Sequence, residues 1–116
     1  MDVLCHTGGP KVLREVARGL SMEEPRANEA LASSWAVMRE HGNLSGASNL
    51  AVLDHYNRNF KCKAGEFNST VDRAVFCLSM GPGVCMEGLI CVRKAAGKLV
   101  DSNGSMDYCR DSFIGL

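Results

Sequence analysis

Long apolar runs are missing from this sequence of 116 residues, and so is any surplus of charge. No uninterrupted apolar stretch approaches the roughly 20 residues that a membrane-spanning helix needs, so we expect no membrane insertion. The 13 basic and 13 acidic side chains cancel to a net charge of zero, which gives no support for nucleic acid or an anionic membrane as a partner. With 46% hydrophobic and 22% charged residues, the composition is typical of a folded globular chain.

Signals for export and for metal binding are also missing. The first residues have neither a basic start nor a long apolar segment, so we expect no secretory leader and a cytoplasmic location. The six cysteines include no Cys-x-x-Cys pair and the histidines no His-x-x-x-His pair, so we predict no metal site. We interpret the cysteines as reduced thiols of the core or the surface, because nothing indicates an oxidising compartment.

Apolar residues at helical spacing predict three helices in the first half of the chain. The predicted ranges are about 10–20, 28–40 and 45–59. Pro10 suits the first turn of the first helix, where its missing N–H costs no hydrogen bond. Ser45 is predicted to cap the third helix, with its hydroxyl accepting a backbone N–H of the first turn. Trp35, Met38 and Met86 are assigned to the core.

Strand patterns flank these helices. Residues 3–5 predict the end of a buried strand, and the apolar run at 74–78 is typical of a strand covered on both faces. A Gly-Pro-Gly turn at 81–83 separates this run from a second strand at 84–92, so the two predict a hairpin. We predict that residues 94–116 form a polar, poorly ordered tail. Two strands and a strand end are little support for three helices, so we expect part of a larger α/β unit.

Four short motifs occur in order along the chain. They are His-Thr-Gly-Gly-Pro-Lys-Val-Leu at 6–13, His-Gly-Asn-Leu-Ser at 41–45, Val-Leu-Asp at 52–54, and Met-Gly-Pro-Gly at 80–83 with Glu87. Together they resemble the C-terminal half of type III polyketide synthases, the chalcone/stilbene synthase family of the thiolase fold. The resemblance implies an incomplete α/β domain over residues 1–93, with helices packed on a partial mixed sheet that ends in a hairpin.

A second family shares this fold and its histidine and asparagine, namely the ketoacyl-ACP synthase III group. That group typically has a Gln-Ala-Asn run after its histidine and lacks the Gly-Pro-Gly turn, so both glycine motifs favour the polyketide synthases. Thr7, where plant members of that family usually carry proline, is more similar to the microbial branch. A ketoacyl-ACP synthase III-like fragment stays an alternative.

The resemblance implies catalytic roles for two loop residues that, taken alone, would more often be a surface histidine and a turn asparagine. In the family, a cysteine thiolate takes an acyl group from a CoA starter and extends it with carbanions from malonyl-CoA decarboxylation. The histidine at His6 would keep that cysteine ionised and donate a hydrogen bond to a thioester oxygen. Asn43 would donate to the same oxygen as it gains negative charge. The implied substrates are acyl-CoA and malonyl-CoA, and no bound cofactor is implied.

The same resemblance implies that Gly81, Pro82 and Gly83 shape the cavity in which the polyketide folds. The family nucleophile lies in an N-terminal half that precedes the matched motifs. Cys5 adjoins His6, but adjacent residues of an extended segment point to opposite faces, so Cys5 is not expected to pair with it.

We therefore predict an acyltransferase fragment that carries His6 and Asn43 and is inactive alone, acting as a homodimer or with the missing N-terminal half. The missing strands are expected to leave unpaired sheet edges beside residues 74–78. Three alternatives stay open: an interaction module that binds an intact synthase, a split enzyme completed by a separately encoded half, and a gene whose true start lies upstream.

Overall fold

The computed structural model describes residues 1–62, 73–82, 85–93, 98–100, 106–108 and 113–115. The helices are α1 (Pro10–Gly19), α2 (Arg26–Ala30), α3 (Ala32–His41) and α4 (Ser48–Cys62), with a 3-10 turn at Ser45–Ala47 before α4. The strands are β1 (Asp2–Cys5), β2 (Arg73–Gly81), β3 (Cys85–Arg93), β4 (Lys98–Val100), β5 (Met106–Tyr108) and β6 (Phe113–Gly115). This architecture confirms the predicted α/β class. None of the helices in these ranges combines the length and the apolar character that crossing a bilayer requires.

Four strands form one mixed sheet in the order β1-β2-β3-β6. β1 runs parallel to β2, with Cys5 opposite Leu78. β2 and β3 are antiparallel, with Met80 opposite Met86, which confirms the predicted hairpin. β6 pairs antiparallel with β3, and β4 and β5 form a separate two-stranded ribbon. The three short strands β4 to β6 lie within 94–116, and the division of the chain at residue 93 stays a prediction.

β1 is central to the packing because its alternate side chains enter two separate cores. Val3 and Cys5 are fully buried in one cluster with Leu13 of α1 and Leu31, which lies between α2 and α3. Leu4 points to the opposite face, into a second cluster. The other members of that cluster come from α3, α4, β2 and β3, and are Val37, Val52, Tyr56, Val75 and Cys91. The prediction of a buried strand over residues 3–5 is therefore confirmed.

The edge of β1 that faces away from β2 is closed by α3. The Ser34 hydroxyl accepts a hydrogen bond from the Cys5 N–H at 2.9 Å and donates one to the Val3 carbonyl at 3.4 Å. One fully buried side chain thus satisfies backbone groups that a neighbouring strand would otherwise pair. β2 itself is paired on both sides, so the expectation of open edges beside residues 74–78 is wrong.

Two further expectations need correction. The second predicted helix is divided at Leu31, whose backbone (φ −98°, ψ 13°) leaves the helical region between α2 and α3. Periodicity does not reveal this bend, because Leu31 keeps its place in the core and is fully buried. Trp35 and Met38 pack against that core as predicted. Met86 is 61% exposed and not part of the core, because no described helix covers that end of the hairpin.

Candidate active site

His6 follows the last residue of β1 and extends the pairing with β2 by one residue. Its backbone N–H donates to the Leu78 carbonyl at 2.9 Å. The half-buried imidazole lies over Gly8, where an added Cβ would be only 3.2 Å from His6 Cδ2 and 3.5 Å from Nε2. The glycine after the histidine thus provides the space that the ring occupies. The sheet supplies the backbone position, and Gly8 supplies the room for the side chain.

Asn43 lies in the loop between α3 and α4, with its side chain exposed. Its Oδ1 accepts the backbone N–H of Ser45 at 2.8 Å, so the amide is oriented by its acceptor end. The Nδ2 group is thereby left to donate to something else. The role of Asn43 as a donor to a ligand stays a prediction.

Ser45 does not act as the predicted N-cap of the following helix. It has a positive φ of 53° and begins the 3-10 turn, whereas Ser48 begins α4. The Ser48 hydroxyl accepts the Leu44 N–H at 3.1 Å and is fully buried. A positive φ at a non-glycine residue is uncommon and costs free energy, and such conformations cluster at ligand-binding sites. The turn next to Asn43 therefore differs from the simple helix start that the sequence pattern predicted.

Thr7 connects the two loops. Its hydroxyl donates to the Gly42 carbonyl at 2.8 Å, across 35 residues of sequence, and its side chain is fully buried. Thr7 is the direct neighbour of His6, and Gly42 is the direct neighbour of Asn43. The two loops that carry the predicted catalytic residues are therefore joined by a hydrogen bond between the neighbours of those residues. Gly42 has φ 70° and ψ −146°, a conformation that favours glycine.

Asn49, in the first turn of α4, contacts the same strand end as His6. Its Nδ2 donates to the Leu78 carbonyl at 3.1 Å, so this oxygen accepts two hydrogen bonds, one from Asn49 and one from the His6 backbone. Its Oδ1 is buried and accepts no hydrogen bond from the described part of the chain. Asn49 thus joins the start of α4 to the edge of the sheet that carries His6.

The predicted cavity turn lies at the same edge of the sheet. β1 and β2 are parallel, so the end of β2 at Gly81 projects in the same direction as His6, about 10 Å beyond Leu78. Gly81 and Pro82 are exposed, and Gly83 lies outside the described residues. The role of this turn stays a prediction, although the fold directs it toward the side of the sheet where the two loops meet.

The described thiols nearest the sheet are poor nucleophiles. Cys5 is fully buried, its Sγ donates to the His6 backbone carbonyl at 3.5 Å, and burial raises the pKa of its thiol to about 11. Burial also raises the pKa of Cys77 to about 11, with a smaller contribution from neighbouring Cys91. Among the cysteines whose side chains the structure describes, those at positions 5, 77, 85 and 91 are free thiols. The thiol next to His6 in the sequence is therefore one whose burial disfavours the thiolate.

Residues 2–95 match the model of a family described as chalcone and stilbene synthases, C-terminal domain. The chain belongs to this family. Its helices and mixed sheet agree with part of a thiolase-like chalcone synthase C-terminal domain, as the motifs predicted. Membership covers nearly all of the residues that the structure describes, including both loops of the candidate site.

Two curated relatives extend the comparison to polyketide synthases, of which the first is a type III enzyme. The chain is 38% identical over 84 residues to 1,3,6,8-tetrahydroxynaphthalene synthase of Streptomyces peucetius subsp. caesius, which covers 72% of this chain and 19% of that protein. It is 26% identical over 87 residues to probable polyketide synthase 1 of Dictyostelium discoideum, covering 75% of this chain and 2% of that protein. The chain thus spans about a fifth or less of the length of these relatives.

Sequence reasoning identified the two loops but missed the groups that join them. Thr7 was noted only as a mark of the microbial branch, and Asn49 was not singled out. The sequence does contain one signal for Thr7. A threonine inside a glycine-rich turn carries a hydroxyl that needs a hydrogen-bond partner when it is buried. Nothing in the sequence pattern distinguishes Asn49 from an ordinary polar residue of a helix start.

Proposed function

We propose that this chain is the C-terminal part of a type III polyketide synthase, in which His6 and Asn43 stabilise negative charge on a thioester oxygen. The observation that carries the proposal is the Thr7–Gly42 hydrogen bond, which holds the two loops together at the end of the sheet. Family membership supports the reaction class. The implied substrates are an acyl-CoA starter and malonyl-CoA. The proposed enzyme needs no bound cofactor and acts in the cytoplasm.

In the proposed reaction, the C–C bond to the malonyl carboxylate breaks and carbon dioxide leaves. The electron pair moves into the thioester and forms an enolate, whose oxygen accepts hydrogen bonds from the His6 imidazole and from Asn43 Nδ2. The enolate carbon then attacks the acyl thioester carried by a cysteine, and the thiolate departs. Both donors are of use because preorganised hydrogen bonds to a developing oxyanion are typically worth about 10²–10³ in rate each.

The nucleophilic cysteine of this proposal is supplied by another polypeptide segment. Cys5 does not fit the role, since its thiol is buried and its raised pKa disfavours the thiolate that attacks an acyl-CoA. His6 would stabilise a thiolate brought to it by the N-terminal half of the synthase, either in a homodimer or in a longer chain. The turn at Gly81, Pro82 and Gly83 would line the cavity beyond that thiolate.

Two assays test the proposal. The purified chain, given acyl-CoA and malonyl-CoA, should release neither carbon dioxide nor free CoA above background. A chimera in which residues 2–93 replace the matching segment of the Streptomyces peucetius enzyme should turn over, and His6→Ala or Asn43→Ala should abolish most of that activity. Turnover by the chain alone, or a chimera that is indifferent to both substitutions, would contradict the proposal.

A second candidate function is a module that binds an intact synthase. It is favoured by the large apolar side chains exposed on β3, since Met86, Leu89 and Ile90 are 61%, 49% and 56% exposed. Met86 and Ile90 share one face of the strand and Leu89 points to the other, so both faces expose apolar side chains of the kind that interaction sites contain. Co-purification with a full-length relative, lost on Leu89→Glu with Ile90→Glu, would support this function, and failure to bind any relative would count against it.

A further inference from the structure

We propose that Thr7 is a positioning residue: its hydroxyl sets the placement of Asn43 relative to His6. The hydroxyl donates to the Gly42 carbonyl at 2.8 Å, and each partner is bonded directly to one of the two predicted catalytic residues. Thr7 itself is fully buried and is not expected to touch substrate. Its effect on chemistry would therefore act through the geometry of the two loops.

The other hydrogen bonds of the Asn43 loop hold it to its own helices. The Gly42 N–H donates to the Met38 carbonyl of α3 at 3.1 Å, and the Leu44 N–H donates to the Ser48 hydroxyl of α4. Neither reaches the segment that carries His6. Among the hydrogen bonds of the described residues, the one from Thr7 joins this loop to the turn after β1.

Threonine suits this task for two physical reasons. Its branched Cβ restricts χ1 to few rotamers, so little entropy is lost when the hydroxyl is held toward Gly42. The contact is partly buried, with Thr7 fully buried and Gly42 half-buried, so losing the hydroxyl would remove a hydrogen bond of fixed geometry that mobile water replaces only in part. The hydrogen bond from Thr7 therefore fixes the position of the Gly42 carbonyl. Because this carbonyl belongs to the peptide unit that joins Gly42 to Asn43, it also fixes the position of the Asn43 backbone.

The test compares variants of the full chain by NMR. Thr7→Val keeps the branched shape and removes the hydroxyl, whereas Thr7→Ser keeps the hydroxyl. Ser34→Ala is the matched control, because it removes another buried hydroxyl whose hydrogen bonds go to Val3 and Cys5 of β1. The readouts are the side-chain amide signals of Asn43, the ring signals of His6 and the exchange rate of the Leu44 amide.

We expect Thr7→Val to shift the Asn43 side-chain signals and to speed Leu44 amide exchange by roughly two- to tenfold, as for the loss of one hydrogen bond. Thr7→Ser should restore both, and Ser34→Ala should leave both unchanged. Equal spectra for Thr7→Val and the wild type, or equal changes in Ser34→Ala, would overturn the inference. If Thr7→Val does not fold, the wild-type chain decides: the Thr7 hydroxyl proton should be visible and slow to exchange, and a rapidly exchanging one would overturn the inference.

The catalytic consequence of this inference rests on the proposed function, but its test does not. If His6 and Asn43 have no catalytic role, the NMR coupling between Thr7 and the Asn43 loop should still be observed. If the coupling is missing, turnover of the chimera should still depend on His6 and Asn43. The two failures are therefore distinguishable.

Discussion

The His6 loop and the Asn43 loop occupy the same end of the molecule but are held by different means. His6 continues β1 and takes its backbone position from the sheet, through a bond to Leu78 of β2. None of the described strands pairs with the Asn43 loop. Three short polar side chains hold it instead: Thr7 on the Gly42 carbonyl, Ser48 on the Leu44 N–H, and the Asn43 amide on Ser45.

This difference indicates where the candidate site is robust and where it is adjustable. A residue in a sheet ladder is supported by every pair of the ladder, so one substitution nearby moves it little. A loop held by single hydrogen bonds becomes more mobile each time one of these bonds is removed. We therefore expect the loss of one hydrogen bond to displace the Asn43 backbone more than it displaces the His6 backbone.

Removing the donors themselves should have the largest effect. His6→Ala and Asn43→Ala in the chimera should each lower turnover by about 10²–10³, because each removes one donor to the enolate oxygen. Asn43→Asp is the matched control, since aspartate keeps the size and the acceptor but cannot donate when ionised. Carbon dioxide release measures the effect, and an Asn43→Asp variant with wild-type turnover would contradict the donor role.

High pH should lower the free energy of unfolding through the buried thiols of β1 and β2. Burial raises the Cys5 pKa from 9.0 to about 11, and the Cys77 pKa is raised in the same direction. The folded state favours the neutral thiols, so their stabilisation is complete below about pH 9 and is lost as the pH rises toward about 11, where the unfolded chain ionises first. Urea midpoints at about pH 8 and about pH 10.5 measure this loss. Cys5→Ala should reduce this dependence on pH, and an unchanged dependence in that variant would contradict the assignment to Cys5.

A side chain at Gly42 should destabilise the loop side by about 1–3 kcal/mol, because φ 70° with ψ −146° is a conformation that L-residues rarely adopt. Gly42→Ala is compared with Gly8→Ala, where the added Cβ would instead crowd the His6 ring at 3.2 Å. The effect of Gly42→Ala is measured as the free energy of unfolding in urea, and the effect of Gly8→Ala as a change in the NMR signals of the His6 ring. Equal unfolding free energies for Gly42→Ala and the wild type would show that the loop does not need glycine.

The smallest of the four effects is expected for Thr7→Val. In the chimera, we expect turnover to fall roughly tenfold with little change in KM, because displaced donors act on the transition state more than on the bound substrate. Thr7→Ser should recover most of the lost activity. A rise in KM at unchanged kcat would instead indicate that Thr7 supports substrate binding, and would contradict its role in positioning the donors.

Much of the fold was predictable from local pattern. The buried strand at residues 3–5 and the hairpin on either side of the Gly-Pro-Gly turn follow from continuous apolar runs between turn residues. The break at Leu31 was not predictable, since a core leucine fits a continuous helix equally well. The exposure of Met86 was also missed, because periodicity shows which face is apolar and does not show whether anything covers it.

The sequence by itself determined the family, through four motifs in order, and with it the identity of His6 and Asn43 as candidate site residues. Only the tertiary structure decided how these residues are related. It did so because hydrogen bonds such as Thr7 to Gly42 and Asn49 to Leu78 join segments that are 35 and 29 residues apart. Spacing along a chain carries no information on such contacts, which exist only after β1, β2 and the helices have packed.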